Sequence, residues 1–367
     1  MVQLIVHPPQ EQWPQLLQRP YQNNTAVHTA VQEVLAAVKR NGDKAVQQFN
    51  AQWGGYAGAL LLSQEDGEKG AAAITPQLKK AIDEAAVNIK TFHQQQINKV
   101  EKIETTPSIT CWRESRPIQK VGLYIPGGTA PLFSTVLMLG IPAQIAGCQE
   151  VVLCTPPDKE GRVHPAILYA ARLCGVTKIV RAGGAQAIAA LAYGTGTVPQ
   201  VYKIFGPGNQ YVTAAKQTVQ LDGVAIDMPA GPSEVCVIAD ETADVRHVAA
   251  DLLSQAEHGP DSQVVLITTH EAVAQRCIEE VTAQLKNLPR KEAAAKAISN
   301  SKVIVASDVA EAVALSNVYA PEHLILNCAD AENILPAITN AGSVFIGAYT
   351  PESLGDYASG TNHTLPT

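Results

Sequence analysis

Two polar side chains near the end of one predicted helix are the first residues in this sequence whose types and spacing suggest chemistry. Apolar residues recur every three to four positions from Thr242 to Ala256, which predicts a helix with one packed face, and Gly259-Pro260 ends it. Gln255 and His258 are three residues apart and fall outside the apolar stripe, so we expect them to be neighbours on an unpacked face. An imidazole and an amide oxygen at a helix C-terminus could hold a cation, and a solvated helix end is the alternative.

A Glu-His pair stands twice where a predicted helix is followed by a predicted strand. Glu257-His258 precedes the strand 263–268, and Glu322-His323 precedes the strand 324–326. If both strands lie in one parallel sheet, the two pairs lie along the same edge of it. That edge is opposite the one where α/β proteins usually bind ligands, so a neighbouring domain would have to cover it. Two surface acids that happen to precede a histidine are the alternative.

A third polar segment, 347–363, follows the predicted strand 343–346 and is rich in Gly, Ser, Thr, Asp and His. Long polar loops beside a sheet often carry functional groups, and a solvated loop is the alternative.

The strands and helices around these groups can be predicted from the sequence, in which short β-rich runs alternate with helical segments. This alternation is typical of βαβ units and predicts parallel sheets in an α/β protein. Upstream of it we expect an arm over the first twenty residues and two helical runs, 25–48 and 75–100. The first set of predicted strands covers 121–125, 151–154, 178–181, 203–205 and 225–228, and the second covers 235–239, 263–268, 302–305, 324–326 and 343–346.

Glycine-rich turns follow most strands of the first set, at the carboxyl ends of the strands. Glycine lets backbone N–H groups and helix N-termini approach a phosphate or carboxylate, so several such turns in one sheet favour a nucleotide-sized ligand. Tight βα turns without a ligand are the alternative. The G-x-G-x-x-G fingerprint is absent, so the sequence does not predict a tight dinucleotide clamp.

Length and composition exclude several function classes. The 367 residues suffice for two or three domains, and 46% of them are hydrophobic, as in globular proteins. The net charge of −7 argues against a nucleic-acid partner held through its phosphates. No N-terminal signal and no membrane-spanning apolar stretch is visible, so we expect a cytoplasmic protein without a membrane partner. The seven scattered cysteines indicate reduced core thiols.

At these residues the sequence closely resembles the histidinol dehydrogenase family. The matching stretches include VGLYIPGGTAPLFST and LLSQAEHGPDSQ, and the full set is Val121–Thr135, Gly183–Gly194, Lys203–Asn209, Ala225–Glu234, Leu252–Gln263, Tyr319–Leu324 and Glu352–Pro366. The resemblance implies two Rossmann-like, doubly wound domains with parallel sheets, plus an N-terminal helical arm. We expect the arm to cover residues 1–24, an NAD-binding domain to cover 121–234, and a zinc-binding catalytic domain to combine 25–120 with 235–367.

The resemblance further implies a homodimer that oxidises L-histidinol, through the aldehyde, to L-histidine with zinc and NAD. Glu322 and His323 match the family's acid/base pair. The zinc-ligand positions are matched by Gln255, His258 and Asp356, the NAD-contacting positions by Tyr124, Gln186 and Asn209, and the substrate-contacting positions by Ser233, Gln255, His258, His323, Asp356 and His363. Spacing alone would favour Asp251, one helical turn before Gln255, as the third ligand, and the resemblance favours Asp356 instead.

The family continues beyond the position of Thr367 with a segment that supplies another zinc-ligating histidine and a substrate-binding glutamate from the partner subunit. Loss of a residue that supports a zinc ligand lowers metal affinity or activity by roughly 10–100-fold, so loss of a ligand is expected to cost at least as much. Catalytic zinc nevertheless often has only three protein ligands. A folded but impaired form with only weak zinc and NAD binding is therefore the alternative function. An aldehyde dehydrogenase with a cysteine nucleophile is a second rival, although no cysteine lies in the Glu-His segments.

Overall fold

The structure is a computed structural model that describes residues 2–20, 25–127, 131–229, 231–355 and 359–362. Asp356 and His363, both expected in the site, lie outside the described residues. Within the described ranges, no helix has both the length and the apolarity that a bilayer crossing requires.

The strands agree closely with the alternation predicted from the sequence, and all ten predicted strands are present. The strands are β1 Gln3–Val6, β2 Lys102–Thr106, β3 Ile109–Trp112, β4 Lys120–Tyr124, β5 Glu150–Thr155, β6 Lys178–Arg181, β7 Lys203–Phe205, β8 Ala225–Ile226, β9 Glu234–Ala239, β10 Gln263–Thr268, β11 Lys302–Val305, β12 His323–Asn327 and β13 Ser343–Ile346.

The helices connect these strands and cover both faces of the two larger sheets. They are α1 Trp13–Leu16, α2 Thr25–Asn41, α3 Asp43–Gly54, α4 Gln64–Ala72, α5 Pro76–Gln94, α6 Phe133–Ala146, α7 Pro165–Leu173, α8 Gly184–Tyr193, α9 Gln210–Leu221, α10 Val245–Ala256, α11 Glu271–Leu285, α12 Lys291–Ser299, α13 Val309–Tyr319, α14 Ala331–Ile334 and α15 Glu352–Leu354. Gly42 separates α2 from α3, so the helical run predicted over 25–48 is two helices. Thr75 caps α5 through its side chain, and Pro76 takes the first helical position, where its missing N–H costs no hydrogen bond.

The described residues form two compact units, each with its own parallel sheet. The first unit contains residues 2–20 and 231–355, and its six strands lie in the order β1-β11-β10-β9-β12-β13. Residues of β9 alternate between the two cores of this unit, because Val235 and Val237 face one and Cys236 and Ile238 face the other. A strand that is buried on both faces must be apolar throughout, which explains the continuous apolar run in the sequence.

The second unit contains the described residues from 25 to 229 and residues 359–362, and its strand order is β6-β5-β4-β7-β8. Each sheet has a central strand, β9 or β4, and the later strands are added outwards first on one side of it and then on the other. This is the doubly wound arrangement of Rossmann-like folds. The fold class predicted from the sequence is therefore confirmed.

The division of the chain differs from the one expected from the sequence. The arm does not stand apart, because β1 pairs with β11 at the edge of the first unit's sheet. The helices between 25 and 94 do not join residues 235–367, because the buried stripe of α2, which includes Val31 and Leu35, shares one core with α8 and α9 of the second unit. An amphipathic pattern shows that a helix buries one face, but it does not show which surface covers that face.

The second unit also carries an antiparallel hairpin of β2 and β3, and every residue of both strands is exposed. Exposed apolar side chains on it include Ile103, Ile109 and Trp112. An isolated two-stranded hairpin is marginally stable in water, so this surface is suited to burial against a partner.

A buried ion pair fixes the turn that follows β7. The ammonium group of Lys216 on α9 contacts the Asp227 carboxylate, and both side chains are almost completely buried. Lys216 also donates to the Gly206 carbonyl at 2.8 Å, and Asp227 accepts from the Gly206 N–H at 2.8 Å. Position 206 itself requires glycine, because its φ is +130° and a Cβ there would lie 2.1 Å from the Tyr124 carbonyl oxygen.

Replacing Lys216 with methionine should lower the free energy of unfolding by about 3–5 kcal/mol, because the variant leaves the Asp227 carboxylate buried without its partner. The matched control is Lys39→Met, which removes an exposed pair with Asp222 at 3.6 Å and should cost about 1 kcal/mol or less. Urea unfolding of both variants measures the difference. Equal losses would show that the buried pair is not essential to this turn.

Candidate active site

The Glu322-His323 pair lies at the amino edge of the first unit's sheet, as the sequence predicted. His323 opens β12 and pairs with Val235 of β9 on one side and with Ser343 of β13 on the other. Because β10 and β12 both flank β9 in parallel, the segments before them, including Glu257-His258, meet the same edge.

The imidazole of His323 is only 3% exposed, and its hydrogen bonds define its tautomer. Its Nδ1 lies 3.0 Å from the Glu234 carbonyl oxygen. A carbonyl oxygen can only accept, so Nδ1 carries the proton and Nε2 carries the lone pair of the neutral ring. Nε2 is buried and has no hydrogen-bond partner among the residues that the structure describes. The ring is therefore held with a free base position, which is the requirement for proton abstraction.

The Glu322 carboxylate is held beside the same imidazole. Its Oε2 accepts a hydrogen bond from the Glu234 N–H at 3.3 Å and lies 3.7 Å from His323 Nδ1. The side chain keeps about a third of its surface exposed, with a relative accessibility of 34%. Glu322 thus combines a fixed position with access to water.

Arg19, which no sequence pattern identified, holds the turn before Glu322-His323 in place. Its guanidinium group contacts both carboxylate oxygens of Glu234 and donates to the carbonyl oxygens of Tyr319 and Ala320, each at 3.0 Å. Ala320 has a φ of +51°, a left-handed conformation that is rare outside glycine. No local pattern signals this contact, because Arg19 and Glu234 are 215 residues apart in the chain.

Gln255 and His258 stand at the end of α10, but only one of them is on the surface. Gln255 is 1% exposed, so the expectation that it lies off the packed face is wrong. The helix ends at Ala256, and His258 follows in an exposed turn in which its Nδ1 lies 2.9 Å from the Ser254 carbonyl oxygen. Capping contacts therefore end α10 before Gly259-Pro260.

Both side chains nevertheless present donor atoms suited to a cation. The Gln255 Oε1 atom is buried and has no hydrogen-bond partner within the described ranges. The Ser254 carbonyl assigns the proton of His258 to Nδ1, which leaves the Nε2 lone pair as a ligand. A metal-binding histidine is usually oriented in this way. Among the described residues, no group of three His, Cys, Asp or Glu side chains could hold a metal, and Asp356 lies outside them.

Asp251, the ligand favoured by spacing alone, is 8% exposed. Burial raises the pKa of its carboxyl to about 7. Near neutral pH a large share of this carboxyl is therefore protonated, which weakens the case for Asp251 as an anionic ligand in the metal-free protein.

The three residues expected to contact NAD line one cavity of the second unit, with a volume of about 630 Å³. Tyr124 ends β4, Gln186 lies in the first turn of α8, and Asn209 precedes α9. The glycine turns located in the sequence, at Gly127 and Gly183-Gly184, form part of the same wall. Asn50, Trp53 and Tyr56, from α3 and the loop after it, also line the cavity, and no sequence pattern identified them.

Hydrogen bonds fix the polar groups of this cavity. The Tyr124 hydroxyl accepts from the Gly184 N–H at 3.0 Å, and burial raises the pKa of this phenol to about 12, so it stays protonated. The Asn209 side chain caps α9 by accepting from the N–H groups of Tyr211 and Val212. Gln186 is 3% exposed, and its Oε1 is a buried acceptor that has no partner in the described part of the chain.

The buried cysteines do not form a thiolate centre. Burial raises the pKa of Cys174, Cys236 and Cys277 to about 12 and that of Cys328 to about 11. A thiol nucleophile needs a lowered pKa, so these residues argue against the cysteine-based aldehyde dehydrogenase.

Replacing Asp251 with asparagine should flatten the pH dependence of stability between about pH 4 and pH 7. In this window the unfolded chain releases the carboxyl proton, whereas the folded chain keeps it because the pKa is about 7. The contribution of Asp251 to the free energy of unfolding therefore falls as pH rises, by on the order of 4 kcal/mol for a shift of about three units, and is constant above the window.

Urea unfolding with a chelator at several pH values measures this effect. Asp330→Asn, which changes an exposed carboxyl, serves as the control. A profile for Asp251→Asn as steep as that of the unsubstituted protein would contradict the buried, protonated carboxyl.

Comparisons with known proteins agree with the resemblance. The family model "Histidinol dehydrogenase" matches residues 17–367. A histidinol dehydrogenase of Bacteroides thetaiotaomicron is 58% identical, covering 100% of this chain and 86% of the relative, and one of Bacteroides fragilis is 55% identical with the same coverage. The crystal structure of the histidinol dehydrogenase of Elizabethkingia anophelis superposes with a TM-score of 0.97 and 52% identity, covering 100% of this chain and 85% of that one. The chain therefore belongs to the histidinol dehydrogenase family, the enzymes that oxidise histidinol in histidine biosynthesis.

Proposed function

We propose that this chain oxidises L-histidinol through L-histidinal to L-histidine, with NAD as the hydride acceptor and zinc as a bound metal. The observation that carries the mechanism is the buried imidazole of His323, whose Nδ1 is held by the Glu234 carbonyl and whose Nε2 is left without a partner. Family membership supports the reaction class.

The first oxidation removes a hydride and a proton from the carbinol. His323 takes the hydroxyl proton at Nε2, and the Glu234 carbonyl stabilises the resulting imidazolium by accepting from Nδ1–H. Burial of the ring excludes bulk water from the base.

The second oxidation requires water to add to the aldehyde before another hydride leaves. Glu322 is suited to take a proton from that water, because its carboxylate is fixed at the Glu234 N–H and keeps access to solvent. An acid and a base held side by side serve proton transfers in both directions. Ser233, at the start of β9 on the same edge, is proposed with Gln255, His258, His323, Asp356 and His363 to contact the substrate.

Gln255 and His258 would hold the zinc ion together with Asp356. Their fit rests on the unpartnered Gln255 Oε1 and on the His258 Nε2 that the Ser254 carbonyl leaves free. Zinc supplies a Lewis acid that favours loss of the hydroxyl proton.

NAD is proposed to bind in the cavity of the second unit. The support is its position at the carboxyl ends of the strands, its glycine turns and the unpartnered Gln186 Oε1. Bound NAD supplies the hydride acceptor for both oxidations.

The first test is NADH formation from L-histidinol by this chain with added zinc, followed by absorbance. We expect turnover that a chelator abolishes, with zinc content measured in parallel. Replacing His323 with glutamine should lower kcat by about 10²–10⁴, the usual contribution of a general base. The control His28→Gln changes an exposed histidine and should leave kcat unchanged.

A folded protein that binds zinc and NAD without turnover would instead support the impaired, binding-only form. Full activity of His323→Gln would exclude His323 as the base.

We also propose that the chain forms a homodimer in the cytoplasm. The exposed β2–β3 hairpin, with its apolar Ile103, Ile109 and Trp112, offers a surface for the second copy. We expect sedimentation equilibrium to give twice the chain mass of 38.9 kDa, and Trp112→Lys to shift the population towards monomer. A monomer at all concentrations would contradict this proposal.

A further inference from the structure

The side-chain amide of Asn50, which no sequence pattern identified, lies between the proposed NAD cavity and the sheet of the second unit. Asn50, in α3, is 5% exposed and lines the cavity. Its Nδ2 donates to the Arg181 carbonyl oxygen at 2.8 Å, and its Oδ1 accepts from Gln186 Nε2 at 3.1 Å. Asn50 therefore links the end of β6 to the first turn of α8.

The Arg181 carbonyl determines the orientation of both amides. This carbonyl is fixed, because the Arg181 N–H donates to the Leu60 carbonyl oxygen at 2.7 Å and because β6, which ends at Arg181, pairs with β5. A carbonyl oxygen only accepts, so Asn50 must turn its NH₂ group towards it and its oxygen towards Gln186. Gln186 must then present its own NH₂ group to Asn50, because the reverse orientation would bring two oxygens together.

Because the Nε2 of Gln186 donates to Asn50, the Oε1 is the end of this amide that has no hydrogen-bond partner among the described residues. Within the described residues this oxygen is buried without a partner, in a residue that lines the cavity, and a Cβ at Gly184 would come within 2.9 Å of it. A buried acceptor without a partner is costly, and a ligand that donates a hydrogen bond removes that cost.

We propose that Asn50 is a positioning residue that fixes the polarity of the Gln186 amide, so that the cavity selects an N–H or O–H donor of the bound dinucleotide. The inference rests on the proposed binding of NAD in this cavity. The donor is either an amine, on adenine or on the carboxamide, or a ribose hydroxyl.

The first experiment is calorimetric titration of the unsubstituted protein with NAD and with analogues that each lack one donor. Hypoxanthine in place of adenine and an acetyl group in place of the carboxamide test the amines, and deoxyribose analogues at each position test the hydroxyls. At least one analogue should bind roughly tenfold more weakly than NAD, because it leaves the Gln186 oxygen unpaired. Binding of every analogue within twofold of NAD would overturn the proposal.

The second experiment applies the same titrations to Asn50→Leu. Without Asn50 the Gln186 amide can rotate and offer either end, so discrimination against the weak analogue should fall to about twofold, with weaker NAD binding. The matched control is Gln47→Leu, which removes another amide of α3 bonded to a backbone carbonyl, that of Gly58, and should change neither quantity.

These outcomes separate the inference from the function on which it rests. If the unsubstituted protein binds NAD and Asn50→Leu discriminates as the unsubstituted protein does, the role of Asn50 is wrong and NAD binding stands. If the unsubstituted protein does not bind NAD, both fail. Should Asn50→Leu not fold, as judged by near-UV circular dichroism, the smaller truncation Asn50→Ala takes its place.

Discussion

The parallel pairing of β9 with β10 and β12 holds the proposed catalytic residues, Glu322 and His323, in place. Its register places Val235 opposite His323, which brings the peptide of Glu234 beside the imidazole and the Glu322 carboxylate. Both faces of this sheet are buried, so a slip of one residue would exchange the side chains of its two cores. The packing that stabilises the unit therefore also sets the geometry of the proposed acid/base pair.

Main-chain carbonyls fix the chemistry of the polar groups in both units. The Glu234 carbonyl sets the tautomer of His323, the Ser254 carbonyl sets that of His258, and the Arg181 carbonyl orients Asn50 and through it Gln186. In each case a group that can only accept hydrogen bonds contacts one end of a side chain that can both donate and accept. The opposite end then carries the lone pair or oxygen available to a proton, a metal or a ligand.

Much of the fold was predictable because strands and turns leave local signals. All ten strands predicted from Val121 onwards are present, and the two Glu-His segments meet one edge of one sheet. Element ends were less accurate: the helix predicted to begin at Thr242 begins at Val245, where the Asp244 side chain caps it. The burial of Gln255 was missed, because a polar side chain at that position reads as solvent-facing until the surface covering it is known.

Two parallel sheets and the family could be predicted from local sequence patterns, because strands buried on both faces must be apolar throughout and because long matching segments recur in the right order. Only the tertiary structure decided which core the helices between 25 and 94 join, and which way each polar group points. The physical reason is distance along the chain. The contacts that decide these questions join residues 89 positions apart at His323 and 131 apart at Asn50, and no local pattern encodes such a partner.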